Sequence, residues 1–238
     1  MMTKMPNILS ILCLVGFISP KLVIATTITE TTTISNFSAW SGTNYVASLG
    51  EPAQASMGQT FRLNKGDATG LDSITFHVWN DNLLPSEPGE VDFALYLYQW
   101  DGNKIYGDSL FQSDQMTTTY SPTNYETFSV NTGGLNLSIG QDYAWFLSTS
   151  MFFDGTAGTA LVAQQPGSYD YGNFIYMNNE NDFGLLSTNA WSQYGSTDLI
   201  FTLELSSTKS VPEPTSLTLL GLGLAGLGFA RQKKRGRI

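Results

Sequence analysis

One cysteine and one histidine stand in 238 residues. Cys13 lies in an N-terminal apolar run, so the rest of the chain can form no disulfide, no thiolate zinc site and no cysteine nucleophile. With His77 the sole imidazole, a His-rich metal site is excluded, and a Ser-His-Asp triad would have to use that residue. Cations are nearly as scarce. Residues 26–208 carry Arg62, Lys65 and Lys104 against 19 of the chain's 20 acids, a net charge of −16. Nucleic-acid backbones are held by Lys and Arg that displace counterions, so nucleic acid is excluded as a partner. No uncharged apolar run reaches the roughly 20 residues of an ordinary membrane helix.

The two ends carry what charge and hydropathy pattern there is. Lys4 precedes the apolar stretch Ile8 to Ile18, and Val23-Ile24-Ala25 offers a small-residue exit. Residues 1–25 therefore read as a secretory signal peptide, a short helix cleaved after Ala25. At the other end Val211-Pro212-Glu213-Pro214 leads into Thr215 to Ala230, sixteen residues without a charge. As a helix these would be about 24 Å long, short of the ~30 Å hydrocarbon core. Arg231, Lys233, Lys234, Arg235 and Arg237 follow. The positive-inside rule keeps that cluster cytoplasmic and puts the acidic body on the far side of a marginal single span through residues 215–230.

Motif, span and basic cluster, in that order over residues 211–237, resemble the PEP-CTERM sorting signal of Gram-negative bacteria. The resemblance implies recognition by exosortase, a membrane protease-transferase that cuts near Pro-Glu-Pro. It makes Pro212, Glu213 and Pro214 the recognition residues, and it implies a place at the cell surface or in an exopolysaccharide matrix. Two prolines around a carboxylate also favour an extended, unpaired strand, the conformation a protease cleft accepts.

Between the ends the apolar period is two. Strands are expected at 57–63, 71–79, 91–100, 104–106, 125–130, 135–139, 142–149, 160–163, 174–177 and 198–205, with Asp101-Gly102-Asn103 as a hairpin turn. Val91, Phe93, Leu95 and Leu97 share one face, as do Leu199, Phe201, Leu203 and Leu205, and Ile74, Phe76 and Val78. The expected fold is all-β, an antiparallel β-sandwich or jelly roll over residues 34–206. A loose Thr-rich leader precedes it at 26–33, and a linker and sorting segment follow at 207–238. The runs Gln59-Thr60-Phe61, Leu71-Asp72-Ser73-Ile74 and Leu95 to Gly102 are similar to sandwich domains that recur in bacterial surface proteins, a resemblance that implies fold alone.

Candidate chemistry is sparse. His77 and Trp79 share one outward parity, and Tyr96, Tyr98 and Trp100 another. If their strands are neighbours, these five rings form one surface on which the C–H faces of sugars stack. The alternative is packing of cross-strand aromatics under a loop. Trp40, Trp145 and Trp191 are expected in core or loop packing. Glu90-Val91-Asp92-Phe93 resembles the start of the Glu-x-Asp-x-x-Glu motif of jelly-roll retaining glycosidases, but Leu95 closes it and the acid/base is missing. Asp67 with Asp72, and Glu180 with Asp182, are the candidates for calcium; otherwise no metal and no cofactor is expected. The reading is an exported, non-catalytic surface or matrix protein with polysaccharide and an exosortase-like enzyme as partners. The alternative is a secreted carbohydrate-active hydrolase using carboxylates.

Overall fold

Alternating side chains give each strand one face that must leave water, and two such sheets satisfy each other by packing face to face. The computed structural model describes residues 26–51, 54–79, 90–118, 125–155, 159–167, 169–211, 223–224 and 227. In chain order the strands begin with β1 (Thr26–Ser35), β2 (Tyr45–Gly50), β3 (Ser56–Arg62), β4 (Gly70–Trp79), β5 (Asp92–Trp100) and β6 (Ile105–Gln112). They continue with β7 (Met116–Thr117), β8 (Glu126–Asn136), β9 (Asp142–Ser148), β10 (Thr159–Pro166) and β11 (Phe174–Met177). After the one-turn helix α1 (Leu185–Thr188) come β12 (Ser192–Gln193), β13 (Thr197–Leu199) and β14 (Phe201–Val211).

Two seven-stranded sheets result, and the pairings whose register is defined within them are antiparallel. The first runs β1-β14-β4-β10-β13, with β2 beside β10 and β8 beside β4. The second runs β12-β11-β3-β9-β5-β6, with β7 beside β5. Phe76 of the first sheet meets Phe93 and Trp145 of the second, at ring-centroid distances of 6.2 and 5.9 Å. All three apolar sets expected to face inward are buried in this core. The expected β-sandwich is therefore present.

A second, smaller core lies on the outer face of the second sheet. Ala94, Tyr96, Trp100, Ala144 and Phe146 pack there against Leu186 and Trp191 from the segment after β11. The Trp191 indole N–H donates to the Leu186 carbonyl at 2.8 Å, which ties that segment into a compact cover.

Several segments differ from expectation. Residues 26–33 are not a loose leader; they belong to β1, which Thr33 fastens to Glu204 by a 2.8 Å hydrogen bond. Residues 207–210, expected as the start of the linker, continue β14. The strand expected at 125–130 and the first two residues of the one expected at 135–139 form one strand, β8, because its ladder with β4 resumes after a bulge opposite Leu71 and Ser73; residues 137–139 lie outside any strand. The strand expected at 198–205 breaks at Ile200, and buried Asn36 spans the break. Its amide donates to the Leu199 carbonyl at 2.8 Å and accepts the Phe201 N–H at 2.9 Å.

The compact body spans Thr29–Lys209, and residues 1–28 with 210–238 make a separate unit. The signal segment 1–25, Pro212, Glu213, Pro214, Arg231, Lys233, Lys234, Arg235 and Arg237 lie outside the described residues. Of the span 215–230, Gly223, Leu224 and Leu227 are described and are helical. Among the described residues no helix is long and apolar enough to cross a membrane.

Candidate functional site

The five rings read as one platform do not come together. His77 and Trp79 stand on β4 of the first sheet, and Tyr96, Tyr98 and Trp100 on β5 of the second. Both groups point away from the shared core, so they lie on opposite outer faces of the sandwich. Strand parity could place each group on an outer face but could not assign the two strands to sheets. Tyr96 and Trp100 are buried in the smaller core, with Tyr96 stacked 5.4 Å from Phe146 and Trp100 edge-on to Trp191 at 6.3 Å.

His77 and Trp79 instead join rings that the sequence pattern did not connect with them. The chain leaving β1 makes a short 3₁₀ turn, Phe37–Ala39, that lies over the outer face of β4. Phe37 and Trp40 approach the His77 ring to 5.0 and 5.5 Å, Trp40 lying nearly parallel to it. Tyr125 meets Trp40 edge-on at 4.7 Å and Trp79 at 5.4 Å, and Tyr45 extends the row to Trp79 at 6.0 Å. The Trp40 indole N–H and the Tyr125 hydroxyl both donate to the Asn44 carbonyl, at 3.2 and 3.3 Å, fixing the two rings to one backbone oxygen. Phe37 remains 49% exposed and Tyr45 40%. The result is an aromatic shelf held in place by the body. The spacing Phe37, Trp40, Tyr45 was the available signal, but nothing in a sequence folds that segment back over β4.

His77 itself is 8% exposed, and Thr127 is its hydrogen-bond partner, Nδ1 to Oγ1 at 3.0 Å. Burial pushes its imidazole pKa below the usual value because the charged ring loses its hydration. With rings on two sides and a threonine on a third, it serves the shelf as a flat neutral ring.

Carboxylates do gather beside Glu90 and Asp92. Glu51 and Asp154 line the same cavity, of about 20 Å³. The Glu51 carboxylate accepts the backbone N–H groups of Asp154, at 2.5 Å, and Gly155, at 3.3 Å. The Thr117 hydroxyl donates to Asp92 at 2.5 Å. That volume holds about one water molecule. At the calcium candidates, the Asp67 carboxylate accepts the Asn64 N–H at 2.6 Å and Asp182 accepts the Gly184 N–H at 2.9 Å. Both close turns. Among the described residues no three His, Asp or Glu side chains gather as a metal site.

Residues 210–234 match the family model described as the PEP-CTERM protein-sorting motif. Such a signal implies export, processing by exosortase-type machinery, and a surface or extracellular location. No curated protein matches the chain. Among solved structures it is similar to the cysteine protease and lectin-like domains of a surface layer associated protein of Clostridium difficile. Identity is 11% and the TM-score 0.38, over 66% of this chain and 32% of that one. The chain thus spans about a third of that protein's solved length.

Proposed function

We propose that this chain is an exported, non-catalytic cell-surface or exopolysaccharide-matrix protein, delivered by a signal peptide and sorted by its tail. The sorting motif over residues 210–234 carries the reading. In this account the span 215–230 holds the precursor in the inner membrane of a Gram-negative cell. An exosortase-like enzyme recognises Pro212, Glu213 and Pro214, and the acidic body stands outside. The aromatic shelf supports an adhesive role. Flat rings stack on sugar C–H faces, and a partly exposed aromatic row on a soluble sandwich is a liability unless something covers it. The net charge of −16 over residues 26–208 keeps the body soluble among anionic polysaccharides and leaves stacking, not charge, as the source of contact.

A hydrolase is the second reading, favoured by the convergence of Glu51, Glu90, Asp92 and Asp154. The non-catalytic reading stands ahead because the space these four line among the described residues measures only about 20 Å³. Calorimetric titration of the full chain, held in a zwitterionic detergent, with the producing bacterium's exopolysaccharide tests both. Saturable binding is expected without release of reducing ends, weakened about tenfold by Trp40→Ala and by Trp79→Ala. Binding unchanged in both variants would remove the shelf. Reducing ends released by the wild type and abolished in Glu90→Gln would establish the hydrolase.

A further inference from the structure

We infer that the cavity between the ends of β3 and β9 and the loop before β11 is a separate binding site for one neutral saccharide unit. It measures about 360 Å³, within the ~300–1,000 Å³ range of small-molecule sites. Its walls come from Arg62 and Asp142, Trp100 and Gly102, the 170–173 loop, and Gln193 of β12. It lies outside the aromatic shelf, shares no residue with it, and does not depend on it.

The walls are fixed before any ligand arrives. Arg62 and Asp142 are register partners across β3 and β9, and the guanidinium grips the carboxylate through two parallel bonds, at 2.6 and 2.5 Å. The 170–173 loop is sewn to β3 at Thr60. The Asn173 N–H donates to the Thr60 hydroxyl at 2.8 Å, and the Thr60 N–H donates to the Asn173 carbonyl at 3.0 Å. Gly172 lets the loop come this close, since a Cβ there would lie 1.7 Å from the Thr60 carbonyl oxygen. The Gln193 amide N–H donates to the Gly102 carbonyl at 3.1 Å, closing the far wall. Trp100 is held edge-on against Trp191. Preorganisation of this kind lowers the entropy cost of binding.

The chemistry left open is that of a hydroxyl-rich ligand. Among the described residues the side chains of Asp170, Tyr171 and Asn173 make no hydrogen bond, yet all three line the cavity. A carboxylate, a phenol and a primary amide together offer donors and acceptors to adjacent sugar hydroxyls. Tyr171, 54% exposed, lines the cavity with its ring set edge-on to Tyr169 at 6.0 Å, and a half-exposed phenol ring can stack on a sugar's C–H face. Charge selects the class. Arg62 and Asp142 cancel each other, Asp170 leaves one negative charge, and the surrounding body is strongly acidic. An anionic sugar meets repulsion there; a neutral hexose does not.

The test uses the full chain in a zwitterionic detergent, free of sugar head groups. Methyl glucoside, methyl galactoside and methyl mannoside are titrated by saturation-transfer NMR and calorimetry, with methyl glucuronide as the charged control. At least one neutral hexoside should saturate, with the glucuronide about tenfold weaker or absent. Asn173→Ala and Tyr171→Ala should each weaken binding by about tenfold, while unfolding temperatures stay with the wild type. Trp40→Ala should leave hexoside binding intact, so failure of the shelf and failure of this site are read separately. If no hexoside saturates, if both cavity variants bind like the wild type, or if the glucuronide binds as well as the neutral sugars, the inference is overturned.

Discussion

Gly58 shows how closely single residues set this fold. A Cβ at that position would lie 2.2 Å from the Trp145 carbonyl oxygen and 2.4 Å from the Phe146 Cβ, so β3 and β9 cannot keep their register around it. Gly58→Ala should cost roughly 3 kcal/mol, read as a lowered urea midpoint with an unchanged m-value. His77 makes the second residue-scale prediction. Burial holds the folded ring's pKa below its ordinary 6.5, so on acidification the unfolded chain takes up the proton first. Stability is therefore complete above pH 6.5 and falls as pH drops below it. His77→Gln, which cannot titrate, should flatten the loss of thermal midpoint between about pH 7 and pH 5.5. An equal loss in the variant would place the titrating group elsewhere.

Elements obey the same logic through what covers them. The segment between β11 and β12 closes the smaller core by way of Leu186 and Trp191. Trp191→Ala removes its anchor and should expose Trp100 and Phe146, the rings it covers, to solvent at a local cost of about 3 kcal/mol. Hydrogen exchange is expected to speed up in 178–191 while β3, β5 and β9 keep their protection. Tyr169 straps the loop before β11 to the sandwich. Its N–H donates to Asp198 at 2.8 Å and its hydroxyl to the Arg62 carbonyl at 3.3 Å. Burial, which disfavours the phenolate, pushes its pKa up to about 12 from 10.0. The unfolded chain loses this proton first, so stability is intact below pH 10 and declines as pH rises towards 12. Tyr169→Phe should show a shallower alkaline decline in urea titrations.

The strands that sequence pattern alone could find are those with an apolar period. β3, β4, β5, β9 and β11 lie within a residue or two of expectation because their alternating Phe, Leu and Ile side chains face the main core. β1 escaped because TTITETTTIS has almost no apolar period; its partners across the sheet make it a strand. The aromatic shelf was half legible. Parity put His77 and Trp79 outward, but Phe37 and Trp40 come from the turn after β1, Tyr45 from β2 and Tyr125 from the residue before β8, a convergence that no local pattern encodes. The polar cavity was not legible at all, since Arg62, Asp142 and Asn173 are ordinary polar residues until β3, β9 and the 170–173 loop bring them together.

For the whole molecule, charge and motif point the same way. Nineteen of the twenty acids lie in residues 26–208, five cations crowd the last eight residues, and the sorting motif lies in the tail. Repulsion keeps such a body soluble, and a basic tail resists translocation. In the proposed function a signal peptide carries this body across the inner membrane and the tail sorts it to the surface. Protease shaving of intact cells expressing the full chain, with mass spectrometry of the released peptides, tests it most directly. Peptides from the 26–211 region are expected on the outside, with no surface chain that still carries residues 231–237, and with loss of the mature form when Pro212, Glu213 and Pro214 are all replaced by Ala. A body protected inside the cell, or one that reaches the surface equally well with the motif replaced, would contradict it.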